Sequence, residues 1–255
     1  MSYNLLTNIQ KLEAENHNLV YSDLQIFQNK VLEIFYKCDF DFSFTGGTAL
    51  SLKYLRNHRK SYDLDFFGKF PINESNIFEI FEANLKEIDI EIIEIKDIDS
   101  DLKMKKYIVR CNINNNFILM KIEFVDDYFH EILFKNSINK IDSLESIYFR
   151  KIYTLTKFNS ERVKDLIDLY HLNDTKPIID FFNEDFIRLY QELIDKDYVF
   201  DNKVICKTLN NWLRHIKYNE HIVKNELEKY GSTINIKELD KLFSLFCTKL
   251  CYTKE

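Results

Sequence analysis

The stretch from Phe44 to Phe67, FTGGTALSLKYLRNHRKSYDLDFF, decides the fold of the first half of the chain. It predicts a strand that ends at Gly46-Gly47, a short helix, a basic turn and a second strand over Tyr62–Phe67. A Gly-Gly step lets backbone amides approach an anion closely, and a helix start offers unpaired N–H groups. Taken alone, the tripeptide Gly46–Thr48 is open to two interpretations, a phosphate-binding turn or an ordinary start of a helix.

Two aspartates lie in the second of these strands. Residues i and i+2 of a strand point to the same face, so the carboxylates of Asp63 and Asp65 are neighbours and Leu64 faces the core. Like charges this close repel unless a cation lies between them, and hard divalent ions such as Mg²⁺ bind carboxylate oxygens. The alternative is a solvated strand end, or ion pairs with Arg59 and Lys60. The position just after the glycine turn favours a metal site.

The rest of the chain divides into a mixed part and a helical part. Before residue 126 the patterns predict helices and strands in alternation, with a bulge at Ile92-Ile93; the helices are 21–37 and 74–86, and the strands are 88–96, 106–112 and 117–125. After the polar stretch 135–142, helices are predicted over 144–158, 161–173, 178–195, 203–217, 220–230 and 236–250. The expected fold class is therefore α+β (α/β), with a small mixed sheet flanked by helices over 1–138 and a helical bundle over 139–255.

Several charged residues outside the first motif are further candidates. Glu123 interrupts an apolar, central-looking strand and could complete a three-carboxylate site, or it could pair locally with Lys121. Lys151 falls inside the apolar stripe of a helix, where a lysine either extends its stem to solvent or points into a cleft. Asp165 and Asp168 lie one helical turn apart, which fits surface ion pairing as well as a functional site.

Composition excludes several classes of protein. The 255 residues carry 35 Lys+Arg against 41 Asp+Glu, a net charge of −6, which argues against indiscriminate coating of nucleic acid. Only 4 Gly and 2 Pro occur, so collagen-like and turn-dense all-β designs are excluded. Five cysteines without CxxC spacing make a disulfide framework or zinc site unexpected. With no signal peptide and no membrane-length apolar run, we expect a cytoplasmic protein without a membrane partner.

In order and spacing, these motifs resemble the nucleotidyltransferase-like AbiEii/AbiGii toxin family of bacterial abortive-infection systems. The resemblance spans roughly residues 40–172 and is specific as a set. The matching segments are Gly46–Leu50, His58–Phe66, Lys121–Phe124, Lys151 and Arg162–Leu169.

The resemblance implies a polymerase-β-like nucleotidyltransferase domain followed by a helical domain. The implied activity is Mg²⁺-dependent transfer of a nucleoside monophosphate from an NTP to an acceptor, either RNA (with tRNA as one candidate) or protein. The chain would be the toxin of a pair whose antitoxin is a separately encoded protein.

The resemblance also implies a role for each matching residue. Asp63 and Asp65 would hold two Mg²⁺ ions, with Glu123 as the third metal ligand and Lys151 as a catalytic contact to phosphate. The implied nucleotide-binding residues are Gly46, Gly47, Thr48, Arg59, Asp165 and Asp168. Glu123 departs from the family, because related enzymes often carry Asp at this position.

Two other functions remain open from the sequence. One is a kinase-type phosphotransferase on the same fold, which would transfer the γ-phosphate. The other is a non-catalytic module that binds a nucleotide or a protein partner. The departure at Glu123 favours the second of these, whereas the intact Asp63, Asp65 and Lys151 favour catalysis.

Overall fold

The computed structural model describes residues 21–39, 41–70, 74–98, 103–127, 129–133, 139–156, 162–175, 192 and 202–252. The chain forms two compact units, the first from residues 1–49 and 62–142 and the second from residues 50–61 and 143–255. Our predicted division at 138/139 lies four residues before the boundary at 142/143, and it did not separate residues 50–61 from the first unit. The helix predicted over 178–195 lies outside the described residues, apart from Glu192.

The first unit is built on a five-stranded mixed sheet, as predicted. Its strands are β1 (Phe42–Thr45), β2 (Asp63–Gly68), β3 (Glu91–Asp97), β4 (Met104–Ile113) and β5 (Asn116–Asp126). They are arranged in the order β1-β2-β5-β4-β3, with β2 and β5 parallel and the other pairs antiparallel. Strand β5 is central and its residues 118–120 are buried on both faces, which confirms the position expected from its apolar sequence. The predicted bulge appears as a shift of register between Ile92 and Glu94.

In the part of this unit that the structure describes, four helical segments accompany the sheet. They are α1 (Tyr21–Lys37), α2 (Gly46–Ala49, continued by a π-helical turn at Leu50–Tyr54), α3 (Glu74–Lys86) and α4 (His130–Leu133). Helix α1 packs against β5 and α3 over one face of the sheet. Phe66 of β2 stacks on Phe35 of α1 and on Phe124 of β5, with ring centroids 4.1 Å and 4.8 Å apart. Because strand side chains alternate, β2 directs its aspartates to the opposite face.

Residues 139–142 belong to the sheet unit because they pair with β1. The Phe44 N–H donates to the Lys140 carbonyl at 2.8 Å, and the Asp142 N–H donates to the Phe44 carbonyl at 3.0 Å. Asp142 is fully buried and its carboxylate accepts a hydrogen bond of 2.7 Å from Ser43. The carboxyl end of the polar stretch 135–142 is therefore a pairing edge of the sheet, and residues 135–138 lie outside the described residues.

The second unit is helical, as predicted. Among its described residues the helices are α5 (Leu144–Thr156), α6 (Val163–Thr175), α7 (Asn202–Tyr218), α8 (Glu220–Lys229) and α9 (Ile236–Tyr252). Helix α7 packs on α9, and its buried Trp212 donates its indole N–H to the Leu155 carbonyl of α5 at 2.8 Å. Residues 50–61 join this unit through Lys60, whose N–H donates to the Tyr230 carbonyl at 3.3 Å. Within the part of the chain that is described, every helix is too short or too polar to cross a membrane.

Candidate active site

The glycine turn and the two aspartates of β2 lie side by side in the first unit. Gly46 has a φ of +78°, a left-handed conformation that favours glycine, and it ends β1 and begins α2. A Cβ at Gly46 would collide with the Oδ2 atom of Asp65. The Thr48 hydroxyl donates to the Asp63 carbonyl at 2.6 Å and lies 3.3 Å from Oδ1 of the same residue. The glycine turn is therefore hydrogen-bonded to β2 beside both carboxylates.

This contact predicts that Gly46→Ala is more damaging than an alanine in an equally strained but open position. Gly231 is that position, because its φ is +70° and a Cβ there would meet nothing within 4 Å. We expect Gly231→Ala to lower the free energy of unfolding by about 1–2 kcal/mol through backbone strain alone. Gly46→Ala should cost about 1–3 kcal/mol more, because Asp65 must move. Urea denaturation of both variants measures the difference, and equal losses would show that Gly46 does not contact Asp65.

Two lysines and a glutamate share the face that carries the aspartates. In the parallel pairing of β2 with β5, Asp63 lies opposite Lys121 and Asp65 lies opposite Glu123. The Lys121 Nζ atom is 2.9 Å from Oε2 of Glu123 and 3.7 Å from Oδ2 of Asp63. On the other side, the Lys106 Nζ atom of β4 is 2.9 Å from Oε1 of Glu123. Both oxygens of Glu123 are therefore paired with ammonium groups.

These pairs shift the pKa values on this face. Burial by itself would lower the pKa of Lys121, but the nearby carboxylates of Asp63, Glu123 and Asp65 outweigh burial and raise it. Burial by itself would raise the pKa of Glu123, but Lys121 and Lys106 hold that pKa below its ordinary value. At neutral pH the Lys121 ammonium and the Glu123 carboxylate are therefore both charged.

This face therefore offers fewer carboxylates to a metal ion than the three that the sequence suggested. Among the residues that the structure describes, no group of three or more His, Cys, Asp or Glu side chains is gathered as a metal site. Asp63 and Asp65 share one face as predicted, whereas Glu123 follows the alternative interpretation and pairs with Lys121. Its role as the third metal ligand stays a prediction, and the geometry does not favour it.

The remaining candidates form a buried ionic cluster in the second unit. The carboxylate of Asp168 accepts hydrogen bonds from Arg59, with 2.6 Å to Nε and 2.9 Å to Nη2. The same carboxylate lies 2.8 Å from the Lys151 Nζ atom and 2.7 Å from the His58 Nε2 atom. Lys151 also donates to Asp165 at 2.5 Å. Asp168 is the centre of this cluster.

The burial of Asp165 and Asp168 bears on the nucleotide-binding roles predicted for them. The side chains of Asp165 and Asp168 are only 1% and 0% exposed, so their carboxylates reach the cations around them rather than solvent. This arrangement favours a structural role, in which they hold Arg59 and Lys151, over direct contact with a nucleotide. The nucleotide contacts of Arg59, Asp165 and Asp168, and the phosphate contact of Lys151, stay predictions.

The pKa shifts in the cluster follow from the same contacts. Burial would raise the pKa of Asp168, but Arg59 and Lys151 hold it well below its ordinary value. Burial would lower the pKa of Lys151, but Asp165 and Asp168 raise it. Asp168 and Lys151 are therefore both charged in the folded state at neutral pH.

The sequence did not predict two residues that contact the candidate site residues. Lys106 pairs with Glu123 across β4 and β5, and the Tyr230 ring lies 5.6 Å from the Arg59 guanidinium carbon. The partner of Glu123 could have been found, because the short loop between β4 and β5 fixes which residues lie opposite each other. Nothing in the local sequence connects Tyr230 with Arg59.

Comparison with known structures assigns this fold to a class. The crystal structure of a "putative nucleotidyltransferase from H. pylori" matches with a TM-score of 0.59 at 16% identity, covering 91% of this chain and 96% of that chain. The crystal structure of JHP933 from Helicobacter pylori matches with a TM-score of 0.58 at 17% identity, covering 91% of each chain. At such low identity the likeness shows the fold alone, which is that of nucleotidyltransferase structures.

A family comparison takes the identification one step further. The model of the nucleotidyl transferase AbiEii toxin family, type IV toxin–antitoxin system, matches residues 35–249, and the chain belongs to this family. No protein in the curated set matches the chain. The resemblance drawn from the sequence is thereby confirmed, and the family implies an antitoxin partner.

Proposed function

We propose that the chain transfers a nucleoside monophosphate from an NTP to an RNA or protein acceptor, with Mg²⁺ held by Asp63 and Asp65. The observation that supports this most directly is the contact between the glycine turn and the paired aspartates. Gly46 abuts the Asp65 carboxylate, and the Thr48 hydroxyl donates to the Asp63 backbone carbonyl and lies 3.3 Å from the Asp63 carboxylate. The turn offers a backbone without side chains, which suits close approach of phosphate oxygens. The family is a nucleotidyltransferase family, which supports the same class of reaction.

The residues present fit a divalent cation. Asp63 and Asp65 lie on one face of β2, are partly exposed, and supply the hard oxygen ligands that Mg²⁺ prefers. Bound there, Mg²⁺ would neutralise phosphate charge and orient the phosphates for in-line displacement. The resemblance implies two such ions, and the ligands that the geometry offers for them are these two aspartates. Lys121 adds a fixed positive charge 3.7 Å from Asp63.

The proposed reaction breaks the bond between the α- and β-phosphates. An acceptor oxygen bonds to the α-phosphorus and pyrophosphate leaves. The proposal also places the chain in the cytoplasm of a bacterium, where NTPs, RNA and a separately encoded antitoxin would all be present.

Labelled NTPs test this proposal. The purified chain is incubated with Mg²⁺ and each NTP in turn, labelled at either the α- or the γ-phosphate, with total RNA and total protein as acceptors. We expect the α-label, and not the γ-label, to reach an acceptor, and chelation of Mg²⁺ to stop the transfer.

The alternatives give different labelling patterns. Transfer of the γ-label alone would identify a kinase-type phosphotransferase and overturn the proposal. If neither label were transferred to RNA or to protein, the chain would be a non-catalytic binding module.

A further inference from the structure

The Lys121 ammonium lies between two carboxylates on the face proposed to bind metal. Its Nζ atom is 2.9 Å from Glu123 and 3.7 Å from Asp63. Strand pairing fixes this arrangement, because Lys121 lies opposite Asp63 and two residues from Glu123 on the same face of β5. The lysine is therefore built into the site by backbone register and does not reach it from a distant loop.

Glu123 is held from two sides. Lys121 contacts its Oε2 atom and Lys106 contacts its Oε1 atom, each at 2.9 Å. A metal ion that took Glu123 as a ligand would have to displace an ammonium group from a carboxylate that is mostly buried. Asp63 is different, because its contact with Lys121 is longer, at 3.7 Å.

We propose that Lys121 is the resident cation of this face, which keeps Glu123 out of the metal-ligand set and leaves divalent cations to Asp63 and Asp65. The inference rests on the proposed function, since it assumes that the two aspartates bind a divalent cation. With two ammonium groups among three carboxylates, the face retains little net negative charge. It binds a free divalent ion weakly, and the negative charge of the NTP phosphates supplies the remaining attraction.

The charge of Lys121 should therefore oppose metal binding in the absence of nucleotide. We expect Lys121→Met to bind Mn²⁺ at least about tenfold more tightly than the unmodified chain, because a positive charge close to the ion is removed. Titration of free Mn²⁺ by electron paramagnetic resonance measures this affinity directly and needs neither nucleotide nor activity. Circular dichroism of each variant checks that it is folded.

Lys105→Met is the matched control. Lys105 lies on β4 of the same sheet, its side chain is 26% exposed like that of Lys121, and it also forms an ion pair, with Asp97. This variant loses the same charge away from the aspartates, so we expect its Mn²⁺ affinity to stay within about twofold of that of the unmodified chain.

Two further variants separate Glu123 from the aspartates. We expect Asp63→Asn to lower the Mn²⁺ affinity clearly more than Glu123→Gln does, because both variants lose one negative charge but only Asp63→Asn also loses a ligand. An equal loss in both variants would overturn the inference, and so would an unchanged affinity in Lys121→Met.

The labelling experiment distinguishes this inference from the proposed function. If the α-label is transferred but Lys121→Met binds Mn²⁺ no better than the unmodified chain, the function stands and the role of Lys121 is wrong. If Lys121→Met binds Mn²⁺ more tightly but no label is transferred, the proposed role of Lys121 stands and the proposed transfer is wrong.

Discussion

Replacement of Asp168 by Asn is expected to lower the free energy of unfolding by about 3–5 kcal/mol, the largest effect on stability that we foresee. The carboxylate is fully buried and neutralises Arg59 and Lys151 at distances between 2.6 and 2.9 Å. An amide has nearly the same shape but no charge, so it leaves two cations buried without full compensation. Chemical denaturation at neutral pH measures the loss.

Glu238→Gln provides the control for Asp168→Asn. It makes the same change from carboxylate to amide in the same unit, but Glu238 accepts its hydrogen bond from Tyr170 at an exposed site. We expect a loss of at most about 0.5 kcal/mol there, as is usual for surface positions. Similar losses in the two variants would mean that the buried cluster does not stabilise the fold.

The pH dependence of stability gives a second measure of the Asp168 cluster. The pKa of Asp168 is depressed in the folded state, so its contribution is present above the unfolded pKa of about 4 and is lost as the pH falls through the folded pKa. Glu123 has a depressed pKa and acts with the same sign. We therefore expect the free energy of unfolding to fall below about pH 4, and to fall less steeply in Asp168→Asn.

Strand periodicity predicted the part of the site that depends on local geometry. Because side chains alternate along a strand, the spacing of Asp63 and Asp65 placed both carboxylates on one face, and Leu64 is fully buried on the other. The apolar sequence around Glu123 likewise predicted the central place of β5. The alternation of side chains along a strand and the apolar character of its two faces depend only on the residues of that strand. They can therefore be predicted from sequence without knowing which strands lie beside it.

The loop between β4 and β5 carries a sequence signal for one of the partners of Glu123. Asn114 and Asn115 form a two-residue loop in which both φ angles are positive, at 51° and 64°. Such loops fix the register of a hairpin, and here they place Lys106 opposite Glu123. The Asn114-Asn115 loop therefore predicts that Glu123 lies opposite Lys106, in addition to its neighbour Lys121 on the same strand.

Other contacts have no local signal. Arg59 and Asp168 are 109 residues apart, and their pairing depends on how residues 50–61 pack within the helical unit. The sequence showed that Lys151 interrupts an apolar helix face, but its partners Asp165 and Asp168 come from another helix. An anomaly in a pattern indicates that a residue is special, whereas its partner is set by tertiary packing.

For Asp65→Asn we expect transfer of the α-label to fall by about 10³-fold or more, because a metal ligand typically contributes several kcal/mol to a transition state. Asp65 lies against Gly46 and opposite Glu123, with no role in the apolar core on the other face of β2. Removing its charge relieves repulsion from Asp63 but also removes an attraction to Lys121, so the melting temperature should change little. Labelling and thermal denaturation of the same preparation separate lost chemistry from lost folding.

Glu91→Gln is the control that separates the position of Asp65 from its acidic character. Asp89 and Glu91 repeat the spacing of Asp63 and Asp65, with two acidic residues two positions apart, but Glu91 is exposed at the start of β3 and accepts a hydrogen bond from Asn112. If the glycine turn beside β2 is what converts two acidic side chains into a site, Glu91→Gln keeps full transfer while Asp65→Asn loses it. Retained transfer in Asp65→Asn would instead mean that the carboxylates of β2 are an ordinary partly solvated strand face.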